Sequence, residues 1–227
     1  MKITMKDLFF PKTCPICGHQ IEENEVICSD CMHQLPRTEQ AEQRDNVTEA
    51  LFCHEPKFER GAAFLFFLKD SPVQHVVHKM KYGLFADPKI GYVLAKEAAC
   101  EFMQSDFFEG IDLLIPVPLH PKRYRERGFN QAEWIGKGIS EVTGIPMDTT
   151  HLTRTHNNAH QARTTGRKRT ENVKDIFTVN HPEELYNKHV LIVDDIITTG
   201  ATMLACMDVL RPIRKCRYSV FGIGKTR

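Results

Sequence analysis

The sequence predicts an α/β chain: a mostly parallel sheet with a small four-cysteine zinc unit ahead of it. Three observations carry that expectation. Apolar runs of strand length alternate with helical stretches through the later three quarters of the chain. One run, Val190-Leu-Ile-Val193, is apolar and β-branched at three of its four positions, the composition of a strand covered on both faces. Two C-x-x-C pairs, Cys14-Pro-Ile-Cys17 and Cys28-Ser-Asp-Cys31, stand ten residues apart in a segment too short to build a core of its own.

Taken in order, residues 1–35 read as the cysteine unit, 36–55 as a linker and 56–227 as the α/β domain. Each C-x-x-C is a turn that presents two thiolates, and four sulfur ligands complete the tetrahedral shell of Zn²⁺ and leave no catalytic position. A redox or iron–sulfur role is the lesser alternative. His19 and His33 flank the pairs, but the cysteine set is complete without them. Metal binding then supplies the folding free energy of the unit. Residues 36–49 are polar, which marks a linker or exposed loop. Phe64 to Leu68 is a strand candidate. Ser71-Pro72 is a helix start followed by Val73, Val76, Val77 and Met80 at helical spacing, and Asp87-Pro88 repeats the signal before Ile90, Leu94, Ala98 and Phe102. Asp112 to Ile115 reads as a strand that enters the loop 116–121. Asn130 with Glu133 resembles a capping box that opens a helix ended by Gly144. A helix over Ala201 to Leu210, stopped by Pro212, and a strand over Tyr218 to Gly222 complete the pattern.

Composition excludes several classes. Hydrophobic residues at 41% and charged residues at 26% are those of a globular chain, not of a disordered or fibrous one. The longest apolar stretch, Ala62 to Leu68, cannot cross a bilayer, so no membrane insertion is expected. The first residues lack the long apolar core of a secretory signal, which points to a cytoplasmic chain with reduced thiols. Cys53, Cys100, Cys206 and Cys216 have no metal spacing and read as small buried side chains. The net charge of +1 hides an uneven distribution. Residues 120–131 and 154–174 hold ten Lys and Arg against two acids, a balance of +8, which leaves −7 for the rest. That concentration suits a polyanion held locally, with two solvated loops as the plain alternative, and it argues against a surface spread along DNA. Lys79-Met-Lys-Tyr82 is the one aromatic-basic stretch, and a helix end explains it equally well.

The stretch 190–202, Val-Leu-Ile-Val-Asp-Asp-Ile-Ile-Thr-Thr-Gly-Ala-Thr, carries the most chemistry. A buried strand ends in Asp194 and Asp195 and turns into a helix. Open parallel sheets bind ligands at the carboxyl ends of their strands. A helix N-terminus points unpaired N–H groups and a positive dipole end at an anion. Gly200 lets the backbone turn or approach closely, and the hydroxyls of Thr198, Thr199 and Thr202 add donors around Ala201. The two carboxylates can accept hydrogen bonds from sugar hydroxyls or hold Mg²⁺ through water. One anion seat beside two acids suits a phosphorylated sugar.

This run resembles the phosphoribosyl-diphosphate (PRPP) motif of type I phosphoribosyltransferases. Together with the cysteine pairs, Val117-Pro-Leu-His120 with Arg123, Arg127-Gly-Phe-Asn-Gln131, and Gln161 with Arg169 and Asn172, the chain is similar in order to the ComF family of competence-associated proteins. Thr164 departs from it, since members often carry an apolar residue there. The resemblance implies the type I phosphoribosyltransferase fold, with Asp194 and Asp195 on the ribose hydroxyls and Thr198, Thr199, Gly200, Ala201 and Thr202 around the 5-phosphate. It also implies that Lys122 and Arg123 face pyrophosphate, that Gln161, Arg163, Arg167, Lys168 and Arg169 belong to a lid over 155–175, and that Cys14, Cys17, Cys28 and Cys31 hold structural Zn²⁺. The implied function is Mg²⁺-dependent displacement of pyrophosphate from PRPP by an unidentified acceptor. The alternative is a non-catalytic accessory protein for DNA uptake that binds PRPP, single-stranded DNA or a helicase partner. A glutamine amidotransferase is not expected, because the first cysteines read as metal ligands. With few residues after the phosphate turn, acceptor recognition is expected from residues 36–110 or the zinc unit.

Overall fold

The computed structural model describes residues 12–81, 86–154 and 176–226. A short helix α1 (Ser29–Gln34) closes the cysteine unit, and a 3-10 turn (Glu49–Leu51) precedes the first strand. There follow β1 (Phe58–Phe67), α2 (Pro72–Lys81), α3 (Lys89–Phe102), β2 (Leu113–Pro116), α4 (Pro121–Arg127) and α5 (Gln131–Thr143). The chain continues through β3 (Leu152–Arg154), β4 (Phe177–Val179), β5 (His189–Ile197), α6 (Ala201–Leu210) and β6 (Arg217–Thr226). Strands β1, β6, β5 and β2 form one sheet in that order, and every neighbouring pair is parallel. The mostly parallel α/β sheet expected from the sequence is the observed one. Strands β3 and β4 form a separate antiparallel ribbon.

The pleat of β5 divides the interior. Leu191 and Val193 enter one apolar cluster with α2, α3 and α5, whereas Val190 and Ile192 enter a second with α6 and the ribbon. Both faces of the strand are therefore covered, as its continuous apolar run requires. Helices α3 and α5 approach so closely that a Cβ at Gly138 would lie 2.4 Å from the Tyr92 carbonyl oxygen. Asn130 caps α5 by accepting from the Ala132 N–H at 3.2 Å, and Gly144 ends it at φ 73°. The expected box differs in one detail: the Glu133 carboxylate takes the Asn130 side-chain amide at 3.3 Å.

Three expectations are corrected. Strand β1 starts at Phe58 rather than Phe64, because Arg60, a charged residue that reads as exposed, is buried between Glu49 at 2.8 Å and Asp106 at 2.6 Å. The polar stretch 36–49 is not simply an exposed loop. Thr38, Gln40, Asn46, Thr48 and Glu49 are buried and satisfy one another and β1: Gln40 Oε1 accepts from the Thr48 hydroxyl at 2.7 Å and the Ala63 N–H at 3.0 Å, and Asn46 donates to the Gly61 carbonyl at 2.9 Å. Backbone bonds from Thr38 to Phe64 and from Phe66 to Pro36, both at 3.0 Å, cover the outer edge of β1. Among the scattered cysteines, Cys206 and Cys216 are buried as expected, but Cys53 and Cys100 are exposed.

Candidate sugar-phosphate site and zinc centre

A cavity of about 420 Å³ opens at the carboxyl end of β5. Its floor is the end of that strand. Asp195 N–H donates to Asp194 Oδ1 at 2.8 Å, which fixes the first carboxylate against its own backbone. Burial, and then the neighbouring Asp195 charge, push the Asp194 carboxyl up to about 7 against the pull of Lys81 and Arg154. Two adjacent acids at a strand end are costly unless cations or hydroxyls face them. The cations are present: Lys81 Nζ lies 2.7 Å from Asp195 Oδ1, and Arg123, Arg127 and Arg154 line the same cavity.

The turn expected to hold a phosphate follows β5 directly and leads into α6. Gly200 is the N-cap of α6 at φ 77°, a conformation that favours glycine, and a Cβ there would meet the Phe52 ring at 2.8 Å. Phe52, 1% exposed, therefore braces the turn from beneath. Thr198 and Thr202 line the cavity, while Thr199 and Ala201 form the exposed turn beside it. The head of α6 thus lies at one end of the cavity, where the Ala201 N–H donates to Thr199 Oγ1 at 3.4 Å.

The opposite wall is the loop 116–121 and α4. His120 caps α4 by accepting from the Lys122 N–H at 3.1 Å, and this turn sends the next two side chains different ways. Arg123 lines the cavity. Lys122 does not: it is exposed, with its ammonium 4.0 Å from Glu126. Arg154, at the end of β3, stacks over Phe177 at 5.4 Å. Burial and the Arg123 charge push its guanidinium down, and its Nε–H is buried without a partner among the described residues. The Gln131 side-chain amide nitrogen is likewise buried and unpartnered at the start of α5, on the same cavity. Gln161, Arg163, Arg167, Lys168 and Arg169, expected to form a lid, lie outside the described residues.

Arg154, Gln131 and Lys81 line the cavity but were not singled out as site residues from the sequence. Arg154 sat in the basic segment, and Gln131 in the quoted Arg127-Gly-Phe-Asn-Gln131 run. Lys81 sat in the aromatic-basic stretch Lys79-Met-Lys-Tyr82, which gave no sign of Asp195, 114 positions away. Phe67, Gln74, Val77 and His78 complete the side of the cavity next to Lys81, so β1 and α2 supply one of its walls.

In the N-terminal unit the sulfurs of Cys14, Cys17, Cys28 and Cys31 all lie within 4.8 Å of one another. Tetrahedral Zn–S bonds of about 2.3 Å place sulfurs at comparable separations, so the four residues fit Zn²⁺. Gly18, at φ 77°, follows the first pair and donates to the Cys14 carbonyl at 3.0 Å, closing the knuckle. Burial opposes the Cys14 thiolate, but the N–H groups of Cys17, Cys28 and Ile16 bring its thiol down to about 6. Cys31 is pushed up by burial and by the other sulfurs. A divalent cation removes that conflict. His33 is engaged elsewhere, its Nδ1 lying 2.8 Å from the Ser29 carbonyl.

Comparison with known proteins gives two family matches: a double zinc ribbon domain over residues 5–42 and a phosphoribosyl transferase domain over residues 134–219. The chain is 26% identical over 200 residues to the DNA utilization protein YhgH of Shigella flexneri, covering 87% of this chain and 77% of that protein. It is 24% identical over 218 residues to competence protein F of Haemophilus influenzae, covering 94% and 86%. Among solved structures, a purine phosphoribosyltransferase from Pyrococcus horikoshii matches with a TM-score of 0.40 at 12% identity, over 60% of this chain and 86% of that one.

Proposed function

The chain belongs to the ComF family of competence-associated proteins, and from that premise we propose that it binds PRPP with Mg²⁺ and transfers its phosphoribosyl group to an acceptor. The observation that carries this reading is the convergence on one cavity of Asp194 and Asp195, the Gly200 turn at the head of α6, and the guanidinium groups of Arg123, Arg127 and Arg154. The N–H groups of the turn, with Thr198 and Thr202, take the 5-phosphate. The two carboxylates accept from the ring hydroxyls. The arginines face the diphosphate across the cavity, with Arg123 and Arg127 in the place the sequence reading gave to Lys122 and Arg123.

Transfer breaks the bond from the anomeric carbon to the pyrophosphate oxygen and forms one to the acceptor, which gives up a proton. Negative charge grows on the departing oxygen, and cations already aimed there lower the barrier because they need no reorganisation. Asp194 and Asp195 carry the hard oxygens that would hold Mg²⁺ arriving with the substrate, and the ion would supply further charge neutralisation. The acceptor enters along β1 and α2. Pyrophosphate release from PRPP across a panel of acceptors tests the reaction. Binding of PRPP without release under every acceptor would leave a binding protein and not a transferase.

The relatives named for DNA utilization and competence favour a second, compatible reading in which this chemistry serves DNA uptake. The exposed cations of α4, Lys122 and Arg125, offer phosphate contacts outside the cavity. Single-strand binding with a salt slope lowered by about 1.4 on Lys122→Ala/Arg125→Ala supports that reading, and an unchanged slope removes it.

A further inference from the structure

We propose that Lys81 is a positioning residue of the sugar site, whose ammonium holds one oxygen of Asp195 so that the other oxygen meets a ring hydroxyl. The inference rests on the sugar-phosphate reading above and adds to it a residue outside the motif. Lys81 Nζ donates to Asp195 Oδ1 at 2.7 Å, and the two side chains are 18% and 16% exposed. Both line the same cavity. A contact this sheltered is screened far less than a surface ion pair and holds one geometry.

The placement of the ammonium is built into the fold. Gln74, Val77, His78 and Lys81 recur at positions i, i+3, i+4 and i+7 of α2 and form one stripe along the cavity wall. Val73, Val76 and Met80, each at 0% exposure, anchor the helix to the core behind that stripe. The last residue of α2 is therefore delivered to the end of β5 by rigid packing and not by a loop. A carboxylate has about four lone-pair sites on two oxygens, and the ammonium occupies one oxygen only. The remaining oxygen is left in a fixed orientation, so a sugar hydroxyl that donates to it does not have to order a rotating side chain. Lys81 also compensates the second of two adjacent negative charges before any ligand arrives. The contact joins the acceptor wall to the sugar floor, so a shift of α2 on acceptor entry moves Asp195 directly.

A clamp that merely ties α2 to the sheet would give the same distance, and comparing two ligands across a double-mutant cycle separates the two roles. Binding of ribose 5-phosphate and of inorganic phosphate is measured by calorimetry, in chelator to exclude divalent ions, for the full chain, Lys81→Met, Asp195→Asn and the double variant. The positioning role predicts that Lys81→Met weakens ribose 5-phosphate binding by about tenfold or more, the scale of one hydrogen bond to a charged group, and leaves phosphate binding unchanged. It predicts no further loss when Lys81→Met is added to Asp195→Asn. Equal affinity of Lys81→Met for ribose 5-phosphate, a parallel loss of phosphate binding, or losses that multiply in the double variant would each overturn it. If the unsubstituted chain binds phosphate but gains nothing from the ribose, the sugar-phosphate reading itself falls and takes this inference with it.

Discussion

Asp194 sits where the fold asks most of a single side chain. Its carboxyl is raised to about 7 by burial and then by Asp195, far above an unfolded aspartate at 3.8. A carboxyl raised on folding contributes stability that is present below pH 4 and lost as the pH climbs through about 7. At pH 8 the ionised group is therefore a liability that only ligand or cation relieves. Asp194→Asn should raise the melting temperature at pH 8 by on the order of 2–4 °C while removing PRPP affinity, and the gain should vanish at pH 4. Melts at the two pH values check it, and a stabilisation equal at both would contradict the assignment. Gly200 is the complementary case, held at φ 77° with no room for a Cβ beside Phe52. Gly200→Ala should cost about 1–2 kcal/mol in denaturant melts, from the backbone strain and the displaced ring. The motif residues were legible because strand, acids, turn and helix are contiguous. Lys81 was not, since its role exists only where α2 meets β5.

Elements explain what the local pattern missed. The alternation of apolar runs placed β5, α5 and α6 within a residue or two, because each is bounded by its own caps and breakers. Segment 36–49 reads as linker for its polarity, yet it is buried by satisfying its polar groups internally and along β1. A polar sequence cannot reveal partners that lie twenty residues away. The same segment leads into Phe52, which packs against Gly200 at the head of α6. Phe52→Ala should therefore destabilise the chain by about 3–5 kcal/mol and weaken phosphate binding through the Gly200 turn. Denaturant melts with phosphate titration check both halves.

At the scale of the whole molecule, the cysteine unit is not a bead on a string. Cys14, Cys31, Met32 and Leu35 belong to the same apolar cluster as Phe64, Leu94, Val193 and Phe221. Removal of Zn²⁺ should then lower the melting temperature of one cooperative transition, and not detach a separate early one. Two resolved transitions after chelation would contradict that coupling. The cysteine spacing announced the metal, but nothing in it announced the shared core. The charge imbalance of the sequence likewise found the cations of the site before their positions were known, though it could not tell Arg123, inside the cavity, from Lys122, outside it. The central claim, that a sugar-borne phosphate sits on the head of α6 with two acids beneath its ring, is tested most directly by calorimetry. PRPP with Mg²⁺ should bind the native chain and lose about a hundredfold in affinity or more in Asp194→Asn/Asp195→Asn, at two hydrogen bonds to charged groups. Equal affinity for both proteins would contradict the account.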